Sequence, residues 1–266
     1  MQRQIERLRR GLWVFRQPLT HEPPAPGAPV SDLFVWRNSG AWQTLFELTD
    51  VFGLFDDRDE DSGRHATFYF FDSDGALFFE KRIDLIPRRR QTIDLSELIE
   101  GARGEMGTFC VFHSHTPRAV TDLGSYLAER GYVSYRYRGA PLRAYVHGNL
   151  DAISLGADNR MQLLGSGSLL PREYRLQHEI AGPALYEIAV VNPSTGAKSI
   201  SCQRVSTRDG KTLDVQTVKL KPRACHLFPI QAEDPPSCRI VIVGRLVMAR
   251  PVVFRTSEQA LDVFHG

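Results

Sequence analysis

One interval in the chain occurs twice and limits what it can fold into. Pro87-Arg88 begins thirteen residues after the Asp of Asp74-Gly75, and Pro222-Arg223 begins at the same distance after the Asp of Asp209-Gly210. The surroundings repeat as well. Residues 67–71 lead into the first Asp-Gly, Leu85-Ile86 precede the first Pro-Arg and residues 92–95 follow it; residues 199–205, Leu220-Lys221 and residues 227–230 take those places the second time. Self-similarity of this kind marks a duplicated unit. Upstream, Val35-Trp36-Arg37-Asn38-Ser39 is set against Val190-Val191-Asn192-Pro193-Ser194. Downstream, Tyr145-Val146-His147-Gly148 is set against Val263-Phe264-His265-Gly266. On this alignment each copy runs from an Asn-Ser turn to an apolar-apolar-His-Gly ending.

Asp-Gly between aromatic or β-branched runs is a hairpin signal, so each copy reads as a meander of short strands. Residues 67–71 and 77–79 are nearly continuous apolar or aromatic runs, as in strands covered on both faces. Residues 215–220 alternate and predict one wet face. Pro87 and Pro222 cannot donate to a ladder and should close a strand or lie on an edge. The expected fold is mainly all-β, a tandem duplication of an antiparallel β-sandwich-like unit. The first copy is longer in two places, which marks two insertions. The second insertion predicts a short helix over residues 122–130, with Thr121 as N-cap and Gly131 as a left-handed stop. Gly165-Ser166-Gly167-Ser168 reads as a flexible connection. The division is residues 1–29 as an N-terminal helix and Pro-rich lead-in, 30–155 as the first repeat, 156–182 as linker and 183–266 as the second repeat. Ile5, Leu8 and Leu12 recur at helical spacing among arginines, which fits a surface helix on its own domain. The apolar run 12–15 is too short for a signal peptide or a membrane span, and a cytoplasmic protein is expected.

The second copy resembles the sensory rhodopsin transducer family, small cytoplasmic β-sandwich proteins of prokaryotes. The residues that carry the resemblance are Val191-Asn192-Pro193, the Asp209-Gly210 hairpin, Leu220-Lys221-Pro222-Arg223 and Arg250-Pro251-Val252-Val253-Phe254, about a third of the chain with the strands between them. The resemblance implies an oligomeric adaptor or ligand-binding sandwich without catalysis. The tandem layout and the first-copy insertions depart from that single-domain pattern.

Two clusters carry candidate chemistry. On a strand, His113 and His115 share one face and could present two imidazoles to a divalent transition metal, with a third ligand from His147, Asp122 or Glu129. The other cluster is Tyr132, Tyr135, Arg136, Tyr137, Arg138, Arg143, His147 and Asn149. Tyr rings cover apolar C–H faces and guanidinium forks hold carboxylate, sulfate or phosphate, so this stretch suits a carbohydrate-like or anionic ligand, or a protein interface. Strand alternation places Tyr135 and Tyr137 on one face and Arg136 and Arg138 on the other. Of 33 basic residues 28 are Arg, yet the net charge is only +2, and this near-neutral balance argues against nucleic acid. Cys110, Cys202, Cys225 and Cys238 show no metal-type spacing and read as reduced core thiols. Asp57, Asp59 and Asp61 begin like a calcium loop, but Ser62 stands where that loop needs Gly. Hydrolase, P-loop and dinucleotide signatures are absent from the sequence. The function expected is therefore a non-catalytic binding or adaptor protein without a cofactor, acting through the Tyr/Arg surface of the first repeat, with room for a homo-oligomer. The alternative is a metal-dependent enzyme at His113 and His115.

Overall fold

Both Asp-Gly turns close hairpins, and each hairpin builds one half of a sheet. The computed structural model describes residues 24–39, 41–51, 53, 63–99, 104–114, 116–129, 131–137, 139–148, 150–180, 182–232, 238–257 and 261–266. Among them the strands, numbered β1 to β20 along the chain, form five four-stranded sheets. The first hairpin pairs β4 (His65–Asp72) with β5 (Leu77–Asp84), in a sheet ordered β2-β7-β4-β5 with β2 (Phe34–Arg37) and β7 (Met106–His113). Facing it is the sheet β10-β9-β3-β6, made of β10 (Ala144–His147), β9 (Tyr132–Tyr137), β3 (Trp42–Thr49) and β6 (Arg90–Asp94). Phe46, Phe68, Phe70 and Phe109 fill the space between in edge-on and stacked contacts. Each buried ring stabilises by roughly 1.5–3 kcal/mol relative to exposure.

The second sandwich repeats this order. Its hairpin pairs β15 (Lys198–Ser206) with β16 (Thr212–Leu220), in the sheet β13-β18-β15-β16 with β13 (Gly167–Arg175) and β18 (Cys238–Leu246). The opposing sheet is β20-β19-β14-β17, from β20 (Leu261–His265), β19 (Val252–Thr256), β14 (Ala184–Val191) and β17 (Cys225–Ala232). Strand for strand the two orders are the same. Arg88 and Arg223, after their respective prolines, both hold a positive φ, 54° and 66°. The remaining sheet, β12-β11-β1-β8, consists of β12 (Met161–Leu163), β11 (Ile153–Leu155), β1 (Pro29–Ser31) and β8 (Leu127–Glu129). It covers the outer face of β7 through Leu33, Cys110, Phe112 and Ile153.

Several expectations are corrected. Asn38 lies between β2 and β3, whereas Asn192 lies between β14 and β15, so the two do not correspond. The counterpart of Asn192 is Asp50: its amide bonds to the carbonyl of Arg89, as that of Asn192 bonds to Ala224, both two residues past the proline. The first insertion is accordingly much shorter than the Asn-to-Asn alignment gives. The helix expected over 122–130 is not formed by residues 123–129. A single turn, α2 (Arg118–Asp122), follows the earlier turn α1 (Leu95–Leu98), and Leu127–Glu129 is strand β8, paired in parallel with β1. Gly131 has no positive φ; a Cβ there would stand 2.7 Å from the Phe46 ring, so glycine is required for close approach. The expected linker contains β12 and β13, the latter bonded into the second sandwich. Leu77 is 47% exposed, so that run is not covered on both faces. By contrast β16 keeps Val215, Thr217 and Lys219 outward, as the alternation predicts. All four cysteines are buried and free. The proposed N-terminal helix and the acidic run 56–61 lie outside the described residues.

The sandwiches meet asymmetrically. Phe254 of β19 packs edge-on against Trp42 and Tyr135, and Ala189, Val252 and Val263 continue the same core. Arg37 lies over the Phe254 ring and bonds to Glu187 at 2.7 and 2.9 Å. The tip of the first hairpin docks on the Pro-Arg turn of the second sandwich. The Ser73 carbonyl accepts from the Cys225 amide, the Gly75 carbonyl accepts from Arg223 Nε, and Arg223 lies over Phe71.

Candidate functional site

The Tyr/Arg stretch divides between two faces of one sheet. In β9, Val133 and Tyr135 point inward, while Tyr132, Ser134 and Arg136 belong to the outer face. Tyr135 is 1% exposed and donates to the Val35 carbonyl at 2.8 Å; burial pushes its phenol pKa far up. It is a core residue, and its assignment to a ligand surface is corrected. Tyr137 follows the same alternation and packs edge-on against Trp42. Arg138 and Asn149 lie outside the described residues.

What remains is a patch built across four strands. Register places Glu47, Tyr132 and His147 side by side, with Leu45, Ser134 and Tyr145 as the next row. Tyr132 is 54% exposed and Tyr145 48%. Glu47 is buried beneath them. It accepts from Thr92 Oγ1 at 3.0 Å and from Arg143 at 3.3 Å, and Arg90 stands 3.5 Å away. The Arg143 guanidinium then lies 5.6 Å from the Tyr145 ring centre, a cation–π distance. Arg136 is held by two bonds to Gln43 Oε1. Sequence reasoning missed Glu47 and Arg90; the signal was an acid at an alternating position of 42–49, readable only once β3 is known to lie beside β9.

His147 lies at the seam between the sandwiches. It faces His265 with ring centres 5.2 Å apart, and its backbone carbonyl accepts from His265 Nε2 at 2.7 Å. Burial holds the His265 imidazole below the usual histidine range, outweighing the bond to the His147 carbonyl, which favours its proton. His113 is buried, with Nε2 2.6 Å from Glu129 Oε2, while Glu129 Oε1 accepts from the Gly131 amide. The structure thus brings together His113 and one of its candidate co-ligands, but as a direct pair joining β7 to β8. His115 lies outside the described residues, and among those described there is no group of three or more His, Cys, Asp or Glu arranged to hold a metal.

Two clefts lie on the other sheets. The larger, about 1010 Å³, is floored by His65, Thr67, Tyr69, Glu80 and Arg82 and reaches His113. Burial, and after it Glu80, raises the Tyr69 phenol. The second, about 620 Å³, includes Ser201, Thr217 and Val243. These are register partners in β15, β16 and β18, as Thr67, Arg82 and Phe112 are in β4, β5 and β7. The clefts therefore occupy corresponding places on the two sandwiches.

Fold and site define a two-sandwich all-β protein with a Tyr/Arg patch on one outer sheet face. No protein family matches the chain, and no curated protein is significantly similar to it. Among the described residues, no helix is long and apolar enough to cross a membrane.

Proposed function

We propose that the chain is a non-catalytic binding or adaptor protein that engages a partner protein through the patch of Tyr132, Arg136, Arg143, Tyr145 and His147. The observation that carries this reading is where the patch lies. Its rows Glu47-Tyr132-His147 and Leu45-Ser134-Tyr145 match, by register, Ala189-Val252-His265 and Glu187-Phe254-Val263 of the second sandwich. That second set is the face by which the second sandwich packs on the first. A face used as an interface in one sandwich thus carries, in the other, exposed Tyr132, Tyr145 and His147 over buried Leu45, Glu47 and Ser134, and Tyr and Arg are the residues enriched at binding hot spots. The shared strand order and the paired positive-φ arginines support the duplication on which this comparison rests.

A photo-crosslinking residue at Tyr145, with adducts identified by mass spectrometry, tests the reading. A protein adduct that disappears when Arg143→Glu and Tyr132→Ala are introduced is expected. Capture of a sulfated or uronic oligosaccharide at the same residue, with no protein adduct, would move the function to carbohydrate binding.

A further inference from the structure

The cleft of about 620 Å³ on the second sandwich lies on the outer face of the sheet β13-β18-β15-β16, and its lining residues and their chain neighbours all belong to the described part of the chain. One wall is a bulge. Gly167 pairs with Leu246 and Arg172 with Gly244, so β13 advances five residues where β18 advances two. The surplus arches off the sheet, closed by a bond of 2.7 Å from Ser168 Oγ to the Leu170 carbonyl. Leu169 and Leu170 stand on the arch, 68% and 64% exposed. Leu169 and Pro171 line the cleft, and Leu170 lies outside it. The corresponding strand of the first sandwich, β2, pairs without interruption and is buried throughout.

The floor is Val243, Ser201 and Thr217, adjacent by register, and in the next outward row Ser199 lies beside Lys219. Lys198 and Arg245 complete this end. Among the described residues no Asp or Glu lines the cleft, and Lys198, Lys219 and Arg245 have no ion-pair partner. Glu173, beside Val243 on β13, is paired with Arg175 at 2.9 Å. In the first sandwich the row of Ser199 and Lys219 is occupied by His65 and Asp84. The cationic end is thus peculiar to the second copy and is not required by the fold.

We infer that this cleft binds an amphiphile with an anionic headgroup. The headgroup lies among Lys198, Lys219 and Arg245, which neutralise it, and the Ser199 hydroxyl donates to one of its oxygens. The apolar chain runs over Val243 and against Leu169 and Pro171, surface that a purely polar anion would leave uncovered. Leu170, just outside the cleft, gives a further apolar contact when the amphiphile is presented in a bilayer, to whose anionic surface the same cations are drawn. The site lies on the other sandwich from the Tyr/Arg patch and is independent of the reading of that patch.

Isothermal titration calorimetry of the full chain with decyl phosphate below its micellar concentration, beside co-sedimentation with vesicles of phosphatidylglycerol or phosphatidylcholine, tests the inference. Decyl phosphate should bind at least about tenfold more tightly than either inorganic phosphate or decanol. Leu169→Ser, and Lys219→Glu with Arg245→Glu, should each weaken it about tenfold or more. Their thermal midpoints should stay near the wild type, because all three side chains are exposed. Binding of free decyl phosphate identifies a soluble source for the headgroup; binding confined to phosphatidylglycerol vesicles, and lost in Leu170→Ser, identifies a membrane. Binding of neither, binding unchanged by the charge reversal, or equal binding of decanol would each overturn the proposal.

Discussion

Gly75 and Gly210 sit in equivalent turns, with φ of 82° and 71°, yet answer to different constraints. At Gly75 the barrier to any side chain is the backbone of Pro222 and Ala224; at Gly210 it is conformation alone. Asn relieves the second and not the first. Gly75→Asn should therefore cost about 2 kcal/mol, and Gly210→Asn no more than about 0.5 kcal/mol, read as the difference between their urea midpoints at dilute protein concentration. The sequence shows both glycines as the same hairpin signal. Which tip is docked depends on how the sandwiches are placed, and no local pattern encodes that. The same limit applies to His113. Strand spacing makes it a candidate ligand, but only the pairing of β8 with β1 brings Glu129 to its Nε2.

At the scale of elements, alternation was legible and sidedness was not. The parity of β9 is as expected, but Tyr suits either face, and burial of Tyr135 is decided by Phe254, a residue of the other sandwich, 4.9 Å away. Tyr135→Phe should destabilise by about 1 kcal/mol, the net worth of its bond to Val35, in denaturant titrations. It should leave crosslinking at Tyr145 unchanged, since the residue lies on the opposite face. A surface role for Tyr135 would show the reverse. The error at residues 122–130 has a related cause. Leu-Ala-Glu is good helix-forming sequence, but β8 gains its hydrogen bonds from β1, nearly a hundred residues upstream, and the long-range ladder outweighs local propensity.

Across the whole molecule, the seam at His147 and His265 couples the two sandwiches to pH. His265 binds its proton less readily in the folded chain than in the unfolded one, so its contribution to stability is present above the ordinary histidine pKa of about 6.5 and is lost as pH falls below it. Arg250 is a cationic neighbour that adds to the cost of that proton, while the bond to the His147 carbonyl offsets part of it. Thermal midpoints should drop as pH falls below about 6.5 in the wild type, and less in His265→Gln, which can still donate to the His147 carbonyl. An equal drop in both would place the titration elsewhere.

Phe254 also sets an order of events during synthesis. Trp42 and Tyr135 belong to the first sandwich, but the ring that closes over them comes more than a hundred residues later in the chain. At roughly 10 residues per second, a ribosome holds that flank open for on the order of 10 s. Throughout that interval the nascent first sandwich presents an aromatic opening to solvent or to a chaperone, because part of its core is supplied by Ala189, Val252, Phe254 and Val263 of the second.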